Sequence, residues 1–156
     1  MIDVIRYEAP GDSRPTSTQA YLSRALKLDG EIDCKLEQIA QLKSRMTRCT
    51  QMLSGMPGSG LPSDWTDTFA RIVDMESELK ADIDRLIHLK REIKLAIDTV
   101  ENVTYRQLLE LRYLCGWSWR RIAEKMHYER TRIWELHREA LEAVKIANTG
   151  EHQNVV

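Results

Sequence analysis

The chain of 156 residues carries 23 Lys and Arg against 24 Asp and Glu, and this formal net charge of −1 excludes a uniformly basic nucleic-acid binder. It is 42% hydrophobic and 30% charged with only 6% aromatic residues, a balance that favours helices over sheets and suffices for one helical domain plus a small second unit. No segment approaches the ~18 to 20 apolar residues of a membrane span, so a cytoplasmic protein with no membrane partner is expected.

Residues 1–18 read as a flexible leader. Pro10, Gly11 and Pro15 interrupt it, and it lacks the continuous apolar run of a secretory signal. Ile2, Val4, Ile5 and Tyr7 alternate, which leaves a short strand or a docking arm open beside the expected disordered arm.

From residue 19 to 101 the periodicity predicts a long antiparallel helical hairpin, coiled-coil-like in its seam. In the first helix Tyr21, Leu28, Leu42 and Cys49 share one seam position and Ala25, Ile32, Ile39, Met46 and Leu53 the other, interrupted by Lys35. The second seam runs through Phe69, Ile72, Leu79, Ile83, Leu86, Ile93, Ile97 and Val100, interrupted by Glu76 and Lys90. Residues 54–64, dense in Gly and Pro, separate stretches of matched length, and such a pair folds back on itself. Val73, Met75, Ile87 and Leu89 widen the second apolar face beyond one seam. The extra surface implies a further partner, either a second copy in a homodimer or the C-terminal helices.

Residues 102–147 read as a trihelical helix-turn-helix unit, so the fold class is all-α, and 148–156 as a flexible tail. A helix over Tyr105–Leu114 stops at Gly116, Ser118 caps a short second helix, and a third runs from near Glu129 to about Ala147. The second helix buries Trp119, Ile122, Ala123 and Met126, and the third buries Ile133, Leu136, Ala140 and Val144. Arg130, Thr131, Trp134 and Glu135 lie off that face, on the edge a recognition helix presents to the major groove. Residues 104–147 hold nine basic against six acidic side chains, whereas 1–103 hold 14 against 17, so the positive excess sits in this unit.

Arg120 and Arg121 follow Ser118 in the first turn, where helix dipoles favour acidic residues. Either a DNA phosphate meets them, or they are solvated or paired with Glu124 and nearby carboxylates. Arg130 is suited to bidentate contact with guanine. Trp134, about 100° from the buried stripe, is expected to be substantially exposed. Three roles are open to it: packing on a thymine methyl or sugar, closing an interface, or a partly buried satellite of the core. Glu135 has two partners open to it, cytosine N4 or Arg132 and Arg138 on its own helix. The expected DNA-binding set is Arg120, Arg121, Arg130, Thr131, Arg132, Trp134, Glu135 and Arg138.

Leu108-Leu109-Glu110-Leu111-Arg112-Tyr113 resembles the V-L-R-M-R-F helix that opens region four of primary-type sigma factors. Ser118-Trp119-Arg120-Arg121-Ile122-Ala123 falls on that family's T-L-E-E-I-A, residues 128–136 on V-S-R-E-R-V-R-Q-I, and Ala140-Leu141 on A-L. Among the promoter-reading positions only Arg130 is retained; Thr131 and Trp134 stand for Glu and Arg, and Glu135 for Gln, so a standard promoter element is not implied. From about Gln19 to Ile146 the chain is similar to small phage and prophage proteins of Gram-positive bacteria, whose helical N-terminal half ends in such a module. The resemblance implies a phage or prophage transcriptional regulator that binds double-stranded DNA, with the hairpin as dimerisation or partner-binding element. Two alternatives stand beside it: a protein that contacts RNA polymerase to alter promoter choice, and a small terminase-like packaging subunit.

Cys34, Cys49 and Cys115 are odd in number and widely spaced, which suggests packed, reduced thiols. Asp84 and His88, four apart, lack a second ligand pair, so no metal is expected. No Gly-rich phosphate loop, paired-carboxylate or nucleophile motif is present, and His88, His127, His137 and His152 have no triad context; an enzyme and a cofactor are not expected. Phosphate contact or solvation suffices to explain His127 and His137.

Overall fold

The computed structural model describes residues 17–54 and 63–146. The expectations for the leader, the Gly- and Pro-rich loop and the tail fall mainly on 1–16, 55–62 and 147–156, outside the described residues. The fold is all-α, with no strand among the described residues. No helix among them is long and apolar enough to cross a membrane.

A short helix α1 (Ser17–Leu22) leads into α2 (Arg24–Leu53) through a break at Ser23, whose hydroxyl donates back to the Gln19 carbonyl at 2.7 Å. Helix α3 (Ser63–Asp98) returns alongside α2, and four ion pairs fix their relation. Arg24 meets Glu92, Lys35 meets Glu78 and Asp82, and Lys43 meets Glu76. As the α2 number rises the α3 number falls, so the helices are antiparallel.

The α2 seam is Ala25, Leu28, Ile32, Lys35, Ile39, Leu42 and Met46, all buried or half-buried, at alternating spacings of three and four. The α3 seam is Ile72, Met75, Leu79, Asp82, Leu86, Leu89, Ile93, Ala96 and Val100. This corrects two of the eight expected seam positions. Ile72, Leu79, Leu86, Ile93, Ile97 and Val100 are buried or half-buried as expected, but Phe69 and Ile83 are exposed while Met75, Asp82 and Leu89 turn inward. The reason is Lys35. Its ammonium lies 2.6 Å from the Asp82 carboxylate across the seam, so each helix places one ionic residue in the same layer. Cys49 also leaves the expected seam, and all three cysteines are exposed rather than packed.

The base of the hairpin merges with the C-terminal helices into one core. Leu22, Ala25, Ile93, Ile97 and Val100 bury with Leu108, Leu109, Tyr113, Ile122, Ile133 and Ala140. A separate cluster of Leu28, Ile32, Ile39, Ile72 and Leu79 fills the arm. Helix α4 (Val103–Leu109) starts at Asn102, whose side chain accepts from the amides of Thr104 at 2.9 Å and Tyr105 at 3.3 Å. It widens into a π-helical turn over Glu110–Leu114, then ends at Gly116 with φ +68°, the left-handed stop expected there. Lys94 of α3 reaches Glu110 in this turn at 2.8 Å.

Helix α5 (Trp119–Met126) is capped as predicted, with the Arg121 amide donating to Ser118 Oγ at 3.3 Å. His127, at φ 58° and ψ 39°, makes the left-handed turn into α6 (Arg130–Ala143). Helix α6 ends four residues before the expected Ala147. Val144 is extended and buried, and the Lys145 amide donates to Thr99 Oγ1 at 3.0 Å, so the chain leaves the helix to close against the end of α3.

Candidate nucleic-acid interface

The helix starts at α5 and α6 share an unusual chemistry. Neither first turn contains an acidic residue, and instead they carry Arg120 and Arg121 in α5 and Arg130 and Arg132 in α6. Unpaired amides at a helix start already favour anions, and these guanidiniums extend the same preference outward. The left-handed turn at His127 brings the two starts to one side. Between them lies an open groove lined by Arg120, Ala123, Glu124, His127, Tyr128, Glu129, Arg130 and Thr131, so two carboxylates stand beside the two guanidiniums.

The expected site residues divide into three groups. Arg120, Arg130 and Thr131 come together at the groove. Arg120 is 85% exposed and its Nε lies 3.1 Å from Glu124, the carboxylate pairing weighed from sequence. Arg138 is exposed on α6. Arg132 and Glu135 do not enter the groove. Arg132 donates to Glu135 at 2.8 Å and lies 3.7 Å from Glu139, whose other oxygen accepts from the Tyr105 hydroxyl of α4. These carboxylates keep the guanidinium charged, raising its pKa, with the bond to Glu135 the largest cause.

Arg121 and Trp134 form the third group, anchored by aromatic rings. The Arg121 guanidinium lies 3.7 Å from the centroid of Trp117, so the cation is held flat at the start of α5. Trp134 corrects an expectation. It is half-buried rather than free, its ring 4.6 Å from Trp119 and 6.2 Å from His137. Helical offset alone left out Trp119, which α5 presents at its first position directly over the α6 edge. The indole is therefore a satellite of the core, with only part of its surface outward.

Beneath this edge lies a polar cluster that the sequence did not reveal. His137 is 4% exposed, which corrects both the solvated and the phosphate-contact readings. Its Nε2 lies 2.8 Å from the hydroxyl of buried Tyr113, and the two share a hydrogen bond. Burial first, and the nearby Arg112 cation second, pull the imidazole down to about 4, so it is neutral at physiological pH. Burial pushes the Tyr113 phenol up, keeping it protonated. Arg112 donates to the Trp117 carbonyl at 2.9 Å and lies 4.7 Å from the Trp119 ring centroid, its pKa lowered by desolvation. Thus the strut that holds Trp117 and Trp119, and through them Arg121 and Trp134, runs from the π-turn. Trp117 and Arg121 stand four apart, and that spacing was the available signal for their stacking.

His127 and Tyr128 also line the groove; phosphate contact was open to His127, whereas Tyr128 was not among the expected contacts. Among the described residues no cluster of three metal-ligating side chains occurs, and His88 is exposed. No curated protein and no solved structure matches the chain. A family model does match, over residues 31–145 and so most of both the hairpin and the C-terminal unit, and the chain belongs to that family, described as "Protein of unknown function (DUF1492)".

Proposed function

We propose that the chain is a non-catalytic, sequence-specific DNA-binding transcriptional regulator of phage or prophage origin, acting in the bacterial cytoplasm. In this reading α5, the His127 turn and α6 are a helix-turn-helix, and the hairpin supplies dimerisation or partner contact. The observation that carries the proposal is the convergence on one open groove of two helix starts whose first turns carry arginine and no acidic residue.

Phosphates suit that surface. The Arg120–Glu124 pair is exposed and worth at most about 1 kcal/mol, so a phosphate displaces the carboxylate at little cost. Arg121, already ordered on Trp117, loses little side-chain freedom on meeting a second phosphate. Arg130 and Thr131, at the start of α6, are the residues assigned to base edges, with Arg138 and the outer edge of Trp134 next along the helix. Arg132 and Glu135 contribute indirectly, by bracing α6 against α4.

The test is a gel shift with fragments of the DNA surrounding the gene, run beside an RNA polymerase pull-down. The proposal expects a discrete shift with one fragment, lost selectively in Arg130→Ala by about 1 to 3 kcal/mol. Polymerase capture without any shift would favour the alternative of a promoter-choice modulator.

A further inference from the structure

The excess apolar surface of α3 is not covered by the C-terminal helices. Phe69 is 60% exposed, Val73 47%, Ile83 40% and Ile87 46%. Together with Glu76 and Lys80 they form a single stripe at spacings of four and three, about 27 Å long. The α3 seam that grips α2 is a different face, more than a quarter-turn away. On α2, Leu36 at 47% exposure lies on the same side of the hairpin as this stripe, one residue past Lys35.

We propose that this stripe pairs antiparallel with the same stripe of a second copy of the chain, about a two-fold axis level with Glu78. The stripe is a palindrome about that position. Phe69 and Ile87 stand nine residues from it on either side, Val73 and Ile83 five, and Glu76 and Lys80 two. Antiparallel pairing therefore sets Phe69 on Ile87, Val73 on Ile83 and Glu76 on Lys80 of the copy, each contact occurring twice as an isologous interface requires. Apolar layers lie outside and opposite charges at the centre. Parallel pairing would set Glu76 on Glu76 and Lys80 on Lys80, so the charges select the antiparallel form. Leu36 lies level with this centre and adds an apolar contribution from α2, making a four-helix assembly of two hairpins.

The inference deepens the hairpin's proposed role and is independent of DNA. Its test is sedimentation equilibrium of the full chain without nucleic acid. The expected mass is twice the 18.1 kDa of one chain. V73K/I83K should sediment as a monomer with unchanged helical circular dichroism, because both side chains are exposed in the single chain. K80E should weaken the dimer about tenfold by placing like charges together, and K43E/E76K/K80E, which keeps the ion pair between positions 43 and 76 in reversed sense, should recover most of that loss. A wild-type chain that stays monomeric, or a dimer indifferent to V73K/I83K, would overturn the interface. A K43E/E76K/K80E chain that dimerises no better than K80E would overturn its register. DNA binding by the C-terminal unit is measured separately, so either reading can fail without the other.

Discussion

His137 is the residue whose chemistry most directly couples the fold to pH. Its folded-state pKa, about 4, lies below the ordinary 6.5, so the unfolded chain takes up a proton first as pH falls. The stabilisation is complete above about pH 6.5 and declines as pH drops towards 4, a loss of roughly 3 kcal/mol over that window. Comparing urea midpoints across it for the wild type and Y113F/H137L should show the steeper decline in the wild type; parallel curves would mean that the imidazole titrates normally. Trp134 makes a second prediction. Stripped of its contacts with Trp119 and His137, Trp134→Ala should lose about 2 kcal/mol of stability even without DNA. An unchanged denaturation midpoint would return the indole to a free edge. Neither property was legible from periodicity. His137 and Trp134 lie to either side of the line between core and surface on α6, and which way they turn depends on Trp119 and Tyr113, contributed by other elements.

At the scale of elements, the helices, their caps at Ser118 and the stop at Gly116 were legible because they depend on local chemistry. The α3 seam was legible except at Phe69 and Ile83, for a specific reason. That helix has two apolar faces, and periodicity alone cannot say which one α2 fills. Phe69 and Ile83 looked better suited to a seam than Asp82, yet Lys35 had already interrupted the α2 seam and needed a carboxylate opposite. The interruptions read on α3 were Glu76 and Lys90, whereas Lys35 meets Asp82 and Glu78, so the register follows only once Asp82 is set opposite Lys35. The Lys35–Asp82 pair, with side-chain exposures of 30% and 14%, therefore specifies alignment more than it adds stability. Lys35→Leu alone should lower the denaturation midpoint by leaving half-buried Asp82 only the more distant, exposed Arg85 at 3.5 Å. The Lys35→Leu/Asp82→Leu double variant should match or exceed the wild type. A double variant as unstable as the single one would show that the pair is a net source of stability instead.

For the whole molecule, the hairpin base and the three C-terminal helices share one core, so the candidate DNA surface is rigidly mounted rather than tethered. In the proposed dimer the α3 C-termini lie about 60 Å apart, counting ~1.5 Å per residue from the two-fold axis. A straight duplex contacted by both copies would then carry half-sites about two helical turns apart rather than one. Two modules also offset the modest charge of each, since nine basic against six acidic residues give a single unit only weak affinity at physiological salt. Whether the arginine-bearing helix starts hold phosphate is measured directly by duplex affinity in fluorescence anisotropy as a function of salt. If they do, log Kd rises linearly with log salt, and R120A/R121A flattens the slope by about 1.8 per module while changing folding stability by less than about 1 kcal/mol. No binding to any duplex at low salt, or a slope untouched by removal of both arginines, would show that they do not.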